Sequence, residues 1–132
     1  MGKNESFRHY LNIVKKAKKE VLIISIGEPV IKELTLANRN FIKRGGQLKM
    51  IIHKYNENNR SLLESWKKMG WQIRHYKDWG YYLVVIDKKI CMISANNPKH
   101  TDERISIYFY NPALAKALAN YFYTLWEKAV EI

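Results

Sequence analysis

The sequence predicts an α/β domain in which a mixed, mostly parallel sheet is flanked by helices in three layers. Segments with apolar residues at helical spacing alternate with short runs of β-branched residues, and Gly27, Gly45-Gly46 and Gly70 punctuate the junctions. The first two strand runs are apolar on both faces, as strands covered by helices on each side must be. Strands separated by helical patterns point to parallel crossovers. At 132 residues with 47% hydrophobic content, the chain has the size and material of one domain, residues 1–132, that needs no disulfide or metal staple.

Ser6 is a suitable N-cap for a helix to Lys19, with Phe7, Tyr10, Leu11, Val14 and Ala17 on one face. Val21 to Ile26 reads as a buried strand ended by Gly27. Glu28 and Pro29 suit a first helical turn, and the helix is expected to run to Arg44 before Gly45-Gly46 stops it. Leu48 to His53 is a second buried strand. A third helix lies within Asn56 to Met69, capped by Gly70, and Trp71 to Tyr76 returns as a strand of alternating character. Tyr81 to Ile86 and Lys89 to Ser94 form a hairpin through Asp87-Lys88. Arg104 to Tyr110 adds a strand, and Asn96 to Glu103 is expected to be a polar loop. Asn111-Pro112 opens a long helix to Val130, with Leu114, Leu118, Phe122, Leu125 and Trp126 toward the core.

The net charge of +11 is concentrated before residue 111, and a field of that size attracts phosphate polymers. No window is apolar enough to span a membrane, and the polar start Met1-Gly2-Lys3-Asn4-Glu5 does not resemble a secretory signal. The single cysteine, Cys91, sits in the apolar run Ile90-Cys91-Met92-Ile93 and reads as a buried hydrophobe. A cytoplasmic location without membrane contact is expected.

The tract from Ile86 to Asn97 resembles the second part of the phospholipase D signature, with an aspartate on a hairpin, an apolar strand and a serine-asparagine turn. In that family a histidine attacks the phosphodiester phosphorus, a lysine stabilises the transferring phosphoryl group, and an aspartate orients the histidine. Counting back from Asp87 puts Tyr82 at the lysine position and Gly80 at the histidine position. Neither supplies the chemistry, so the resemblance implies a domain that is not an enzyme. His75-Tyr76-Lys77 repeats the histidine-lysine spacing but lies too far before Asp87, and is read as part of a sheet strand.

Over nearly its full length the chain is similar to the phospholipase-D-like domain of TrmB-type archaeal transcription regulators. The resembling stretches are Ala17-Lys18-Lys19-Glu20 before Val21-Leu22-Ile23-Ile24-Ser25, Arg44-Gly45-Gly46-Gln47-Leu48, Gly70-Trp71-Gln72-Ile73-Arg74 and Leu83-Val84-Val85-Ile86-Asp87. The close, Ile107-Tyr108-Phe109-Tyr110-Asn111-Pro112 followed by Tyr121 to Ala129, is the most distinctive. The resemblance implies a phospholipase-D-like regulatory domain that assembles as a homodimer and responds to a small-molecule effector, with no cofactor and no metal. The winged helix and the further β domain of that family are not expected within these 132 residues.

Two functions follow. The first is a non-catalytic regulatory and dimerisation domain with a vestigial cleft at Asp87, Ser94, Asn96, Asn97 and Glu103. The alternative is a basic nucleic-acid-binding protein that uses this cleft to hold DNA or RNA. Lys43, Arg44, Lys67, Lys68, Lys88 and Lys89 would contact phosphates, and Trp66, Trp79, Tyr81 and Tyr82 would stack on bases.

Overall fold

The computed structural model describes residues 1–77, 81–97 and 100–132, with the backbone alone described at 96–97 and 100–104. In chain order the elements are α1 (Lys3–Val14), β1 (Glu20–Ser25), α2 (Lys32–Lys43), β2 (Gln47–Ile52), α3 (Arg60–Lys68) and β3 (Gln72–His75). There follow β4 (Tyr81–Ile86), β5 (Ile90–Asn97), β6 (His100–Phe109), α4 (Pro112–Lys128) and β7 (Val130–Glu131). The strands form one sheet in the order β6-β5-β4-β1-β2-β3-β7.

The sheet is mixed, as expected, but mostly antiparallel rather than mostly parallel. Only β1–β2 and β2–β3 run parallel, whereas β1–β4, β4–β5, β5–β6 and β3–β7 are antiparallel. The reason is connection length. A parallel return needs a crossover of a dozen or more residues, and α2 and α3 supply two of these. Between β3 and β4 there are too few residues to carry the chain back across the sheet, so β4 starts at the end where β3 stops and pairs with β1 in the opposite direction. The two hairpins beyond it add two further antiparallel ladders.

Several boundaries also move. Helix α1 begins three residues before Ser6, with Gly2 as its N-cap, and Ser6 is buried within it. Residues 28–31 stay outside α2, which begins at Lys32 with no side-chain cap. Much of the expected 96–103 loop belongs to β5 and β6, since the ladder resumes at Asn97 and His100 after an irregularity at 96–97. The C-terminal helix starts as expected, with the Asn111 side chain accepting the Leu114 N–H at 3.1 Å and Pro112 in the first turn.

Alternating strand residues build two cores. Ile23, Met50, Ile73 and Val84 face α1–α3 and pack on Tyr10, Val14, Leu34, Phe41 and Leu63. Leu22, Ile24, Ile51, Leu83, Val85 and Cys91 face α4 and meet Ala115, Ala119, Phe122 and Trp126. Helices therefore lie on both faces of the sheet, three on one and one on the other. Because β1–β3 point the same way, α1, α2 and α3 all end at the edge of the sheet where those strands begin.

Candidate functional site

The site begins at the strand end opposite those helix C-termini. Tyr82, Ser94 and Ser106 are consecutive cross-strand partners on β4, β5 and β6, on the face covered by α1–α3. Ser94 and Ser106 are buried, and their hydroxyls have no hydrogen-bond partner among the described residues. The Tyr82 hydroxyl donates to Glu28 Oε1 at 2.5 Å, tying β4 to the segment between β1 and α2. Glu28 was not among the residues anticipated at the site, because Glu28-Pro29 has the composition of a helix start. Asn59, also missed, is buried beside it and donates to the Gly27 carbonyl at 3.0 Å and the Lys54 carbonyl at 2.8 Å. Gly27 has φ +95°, and a Cβ there would stand 3.0 Å from the Asn59 amide nitrogen, so the turn is built on glycine.

Inside this junction is a cavity of about 110 Å³ between α1, α2 and the sheet. Phe7, Leu34, Met50, Trp66, Trp71 and Met92 give it apolar walls, and Glu28 and Tyr82 stand among its polar lining groups. The Trp71 indole N–H is buried without a hydrogen-bond partner among the described residues. Tyr10 donates to Asn38 Oδ1 at 2.6 Å, both residues lining the same space. Burial first, then the neighbouring Tyr108, pushes the Tyr10 phenol far above its ordinary range, so it remains a donor.

Asp87 is elsewhere. It lies in the turn between β4 and β5, five residues along the strand from Tyr82, which places it about 16 Å from the Tyr82–Ser94 pair. Its carboxylate accepts the backbone N–H groups of Lys18 at 2.9 Å, Lys19 at 2.8 Å and Glu20 at 2.9 Å. Asp87 and Lys88 both have φ +53°, and Lys89 N–H closes the turn on the Ile86 carbonyl at 3.0 Å. Partial burial pushes the Asp87 carboxyl upward, but the three backbone hydrogen bonds and the nearby Lys89 charge outweigh it. The net position is below the usual carboxylate range.

The structure therefore does not bring Asp87 together with Ser94. Gly80 and Trp79 lie outside the described residues, as do the side chains of Asn96, Asn97 and Glu103, whose backbones belong to β5 and β6. His75 ends β3, with β2 and β1 between it and β4, and its Nε2 is 3.2 Å from the His53 carbonyl. Lys43, Arg44, Lys67, Lys68, Lys88 and Lys89 are exposed at Asp87's end of the sheet. Trp66 is buried and stacked on Trp71, with ring centroids 5.9 Å apart, so it does not offer a face to a nucleobase. Among the described residues no cluster of histidine, cysteine, aspartate and glutamate is arranged to hold a metal. No helix of the described residues is long and apolar enough to cross a membrane.

This mixed sheet between two helical layers is a phospholipase-D-like fold. It is shared with NucT from Helicobacter pylori, at a TM-score of 0.80 and 16% identity over 98% of this chain and 92% of that one. Nuc from Salmonella typhimurium, described as a phospholipase D family member, matches at 0.72 and 15% identity over 95% and 89% of the two chains. TrmBL2, described as an archaeal chromatin protein with a novel mode of DNA binding, matches at 0.78 and 15% identity over 99% of this chain. The chain spans 52% of the length of TrmBL2. No curated protein matches the sequence. The model of the family described as "Transcriptional regulator TrmB, EBD N-terminal subdomain" matches residues 2–132, and the chain belongs to that family.

The Asp87 anchor has a measurable pH signature. A depressed folded-state pKa contributes stability that is full above the unfolded value of about 3.9 and is lost as pH falls through the lower folded value. Asp87→Ala is expected to lower stability at pH 7 by about 1–2 kcal/mol, a solvent-screened fraction of what hydrogen bonds to a charged group contribute. Urea unfolding at pH 7 and pH 2.5 checks this: the difference between wild type and variant shrinks at the lower pH.

Proposed function

We propose that this chain is a non-catalytic regulatory module of a TrmB-like transcription regulator, one that binds a small effector and pairs with a second copy of itself. The observation that carries the reading is the Tyr82–Glu28 hydrogen bond. Tyr82 occupies the position that the resemblance gives to the catalytic lysine. It brings no fixed positive charge, and its hydroxyl is engaged in holding the 28–31 segment over the internal cavity. The histidine position, by the same count, is Gly80, which has no nucleophile. Ser94 keeps its place beside Tyr82, whereas Asp87 is engaged with backbone amides. The backbones of Asn96, Asn97 and Glu103, the other residues read as part of a vestigial cleft, belong to β5 and β6.

The effector is read from the cavity. A space of this volume walled by large apolar side chains with a few polar groups accepts compact, mostly apolar molecules of about the size of a single ring. The unpartnered Trp71 N–H adds a donor for one acceptor atom, because leaving it unsatisfied costs free energy that a ligand recovers. Helix α1 forms one wall through Ser6, Phe7 and Tyr10, so occupancy bears directly on the position of that helix. Pairing with a second copy is supported by the margin of the sheet that α4 leaves uncovered. There Ile93, Ile105 and Ile107 are exposed, the last two at 67% and 54%, and form an apolar patch on β5 and β6.

Three measurements test this reading. The purified protein is expected to leave bis(p-nitrophenyl) phosphate intact; hydrolysis that disappears on His75→Ala would overturn the non-catalytic assignment. Cyclohexanone, a single ring with one acceptor, is expected to raise the unfolding temperature and change the tryptophan fluorescence of the wild type. Leu34→Phe, which fills the cavity, is expected to abolish that response, and equal responses in both proteins would exclude the cavity. Ile105→Lys/Ile107→Lys is expected to shift the sedimenting species from dimer to monomer at micromolar concentration, and a monomeric wild type would remove the dimer.

A further inference from the structure

The structure gathers the positive charge of the chain at one end, and it is the end opposite the Tyr82–Ser94 site. Four elements deliver it. Lys15, Lys16, Lys18 and Lys19 are exposed between α1 and β1, and Lys43 and Arg44 at the end of α2. Lys67 and Lys68 close α3, and Lys88 and Lys89 form the β4–β5 turn. Of the carboxylates nearby, Asp87 accepts three backbone N–H groups and Glu20 accepts the Tyr123 hydroxyl, while of the lysines Lys67 already donates to the Ile132 carbonyl oxygen. At the other end Glu5, Glu28, Glu33 and Glu57 stand among Lys3, Lys32, Lys54, Arg60 and Lys77, so among the described residues carboxylates offset much of the charge there.

We propose that this basic end is a sequence-independent binding surface for the phosphate backbone of duplex DNA. This goes beyond the regulatory reading and does not depend on the cavity, the cleft or the dimer.

Three features favour a phosphate polymer. The first is rigidity. Asp87 pins the turn to the α1–β1 junction, and the Arg44 guanidinium donates to the Val14 carbonyl at 2.5 Å and the Ala17 carbonyl at 3.0 Å. The lysines of three elements are thus carried on one backbone frame, so little ordering is needed on binding. The second is extent. The junctions follow the strand order β5-β4-β1-β2-β3, four inter-strand spacings or about 19 Å, over which a duplex presents on the order of ten phosphates. The third is composition. The exposed rings at this end, Phe109 and Tyr110, stand at the β6 margin outside the row of charged junctions, whereas base stacking or insertion into a lipid surface would use rings interleaved with the charges. Helix C-termini favour cations for their own sake. That preference does not account for Lys88 and Lys89, which belong to no helix.

The test is fluorescence anisotropy with a labelled 30-base-pair duplex across a salt series. Lys15, Lys16, Lys18 and Lys19 are replaced together by Gln. These substitutions leave the Asp87 anchor intact, because it uses the backbone N–H groups of Lys18 and Lys19. A control protein carries Lys3→Gln, Lys32→Gln and Lys54→Gln. Wild type is expected to bind at 50 mM salt with affinity falling steeply as salt rises. The basic-end variant is expected to lose at least tenfold in affinity and to show a salt slope shallower by about 2–4, while the control stays within about threefold of wild type. Lys88→Gln/Lys89→Gln provides a second basic-end variant should the first unfold. Equal losses in control and basic-end proteins, no binding at 50 mM salt, or binding to phosphatidylserine vesicles without binding to the duplex would each overturn the proposal.

Discussion

The pairing of β1 with β4 joins two halves of different construction, and the Asp87 carboxylate holds that joint. On one side β1, β2 and β3 form a parallel block with helical crossovers; on the other β4, β5 and β6 form an antiparallel meander. Val21 lies opposite Ile86 at the end of the shared ladder, and one residue beyond it Asp87 reaches three consecutive amides of the α1–β1 junction. Amides at the start of a strand need partners as much as any others. A single carboxylate satisfies them and at the same time sets the register of β4 against β1. A one-residue slip would exchange every side chain of β4 between the two cores.

That anchor separates two ends of the molecule with different character. At the far end, Gly27, Glu28, Asn59 and Tyr82 are tied into a polar junction above an apolar cavity. At the near end the same carboxylate is surrounded by lysines that its backbone bonds hold in place. In a phospholipase-D-like enzyme the first of these ends would be expected to carry the phosphodiester chemistry. Here the Tyr82 hydroxyl, bonded to Glu28, ties β4 to the segment between β1 and α2 at that end.

The exposed isoleucines of β5 and β6 follow from the same topology. One helix, α4, covers the second face of the sheet, and its apolar stripe reaches Leu22, Leu83 and Cys91 but leaves Ile93, Ile105 and Ile107 at the margin. β6 is also an edge strand, and Met1 makes two backbone hydrogen bonds with it at Ser106, at 2.9 and 3.0 Å. A neighbouring chain segment can therefore cover such an edge.

The sequence by itself determined the order of the elements from α1 to α4, though not β7 where the last helix was expected to reach Val130, and also the hairpin at Asp87, the Asn111-Pro112 helix start and most core positions. These depend on local periodicity and on turn residues, which act within a few residues of where they stand. Helix limits at Ser6 and Glu28 were misplaced because good capping residues are also good interior or loop residues, and packing chose between the uses. Only the tertiary structure decided that the sheet is mostly antiparallel, since a strand's pattern states which faces are buried and not which neighbour it takes or in what direction. The same non-local pairing put Asp87 and Ser94 at opposite ends of one hairpin and collected lysines from four separate junctions at one edge. A run of residues records its charges; their convergence belongs to the fold.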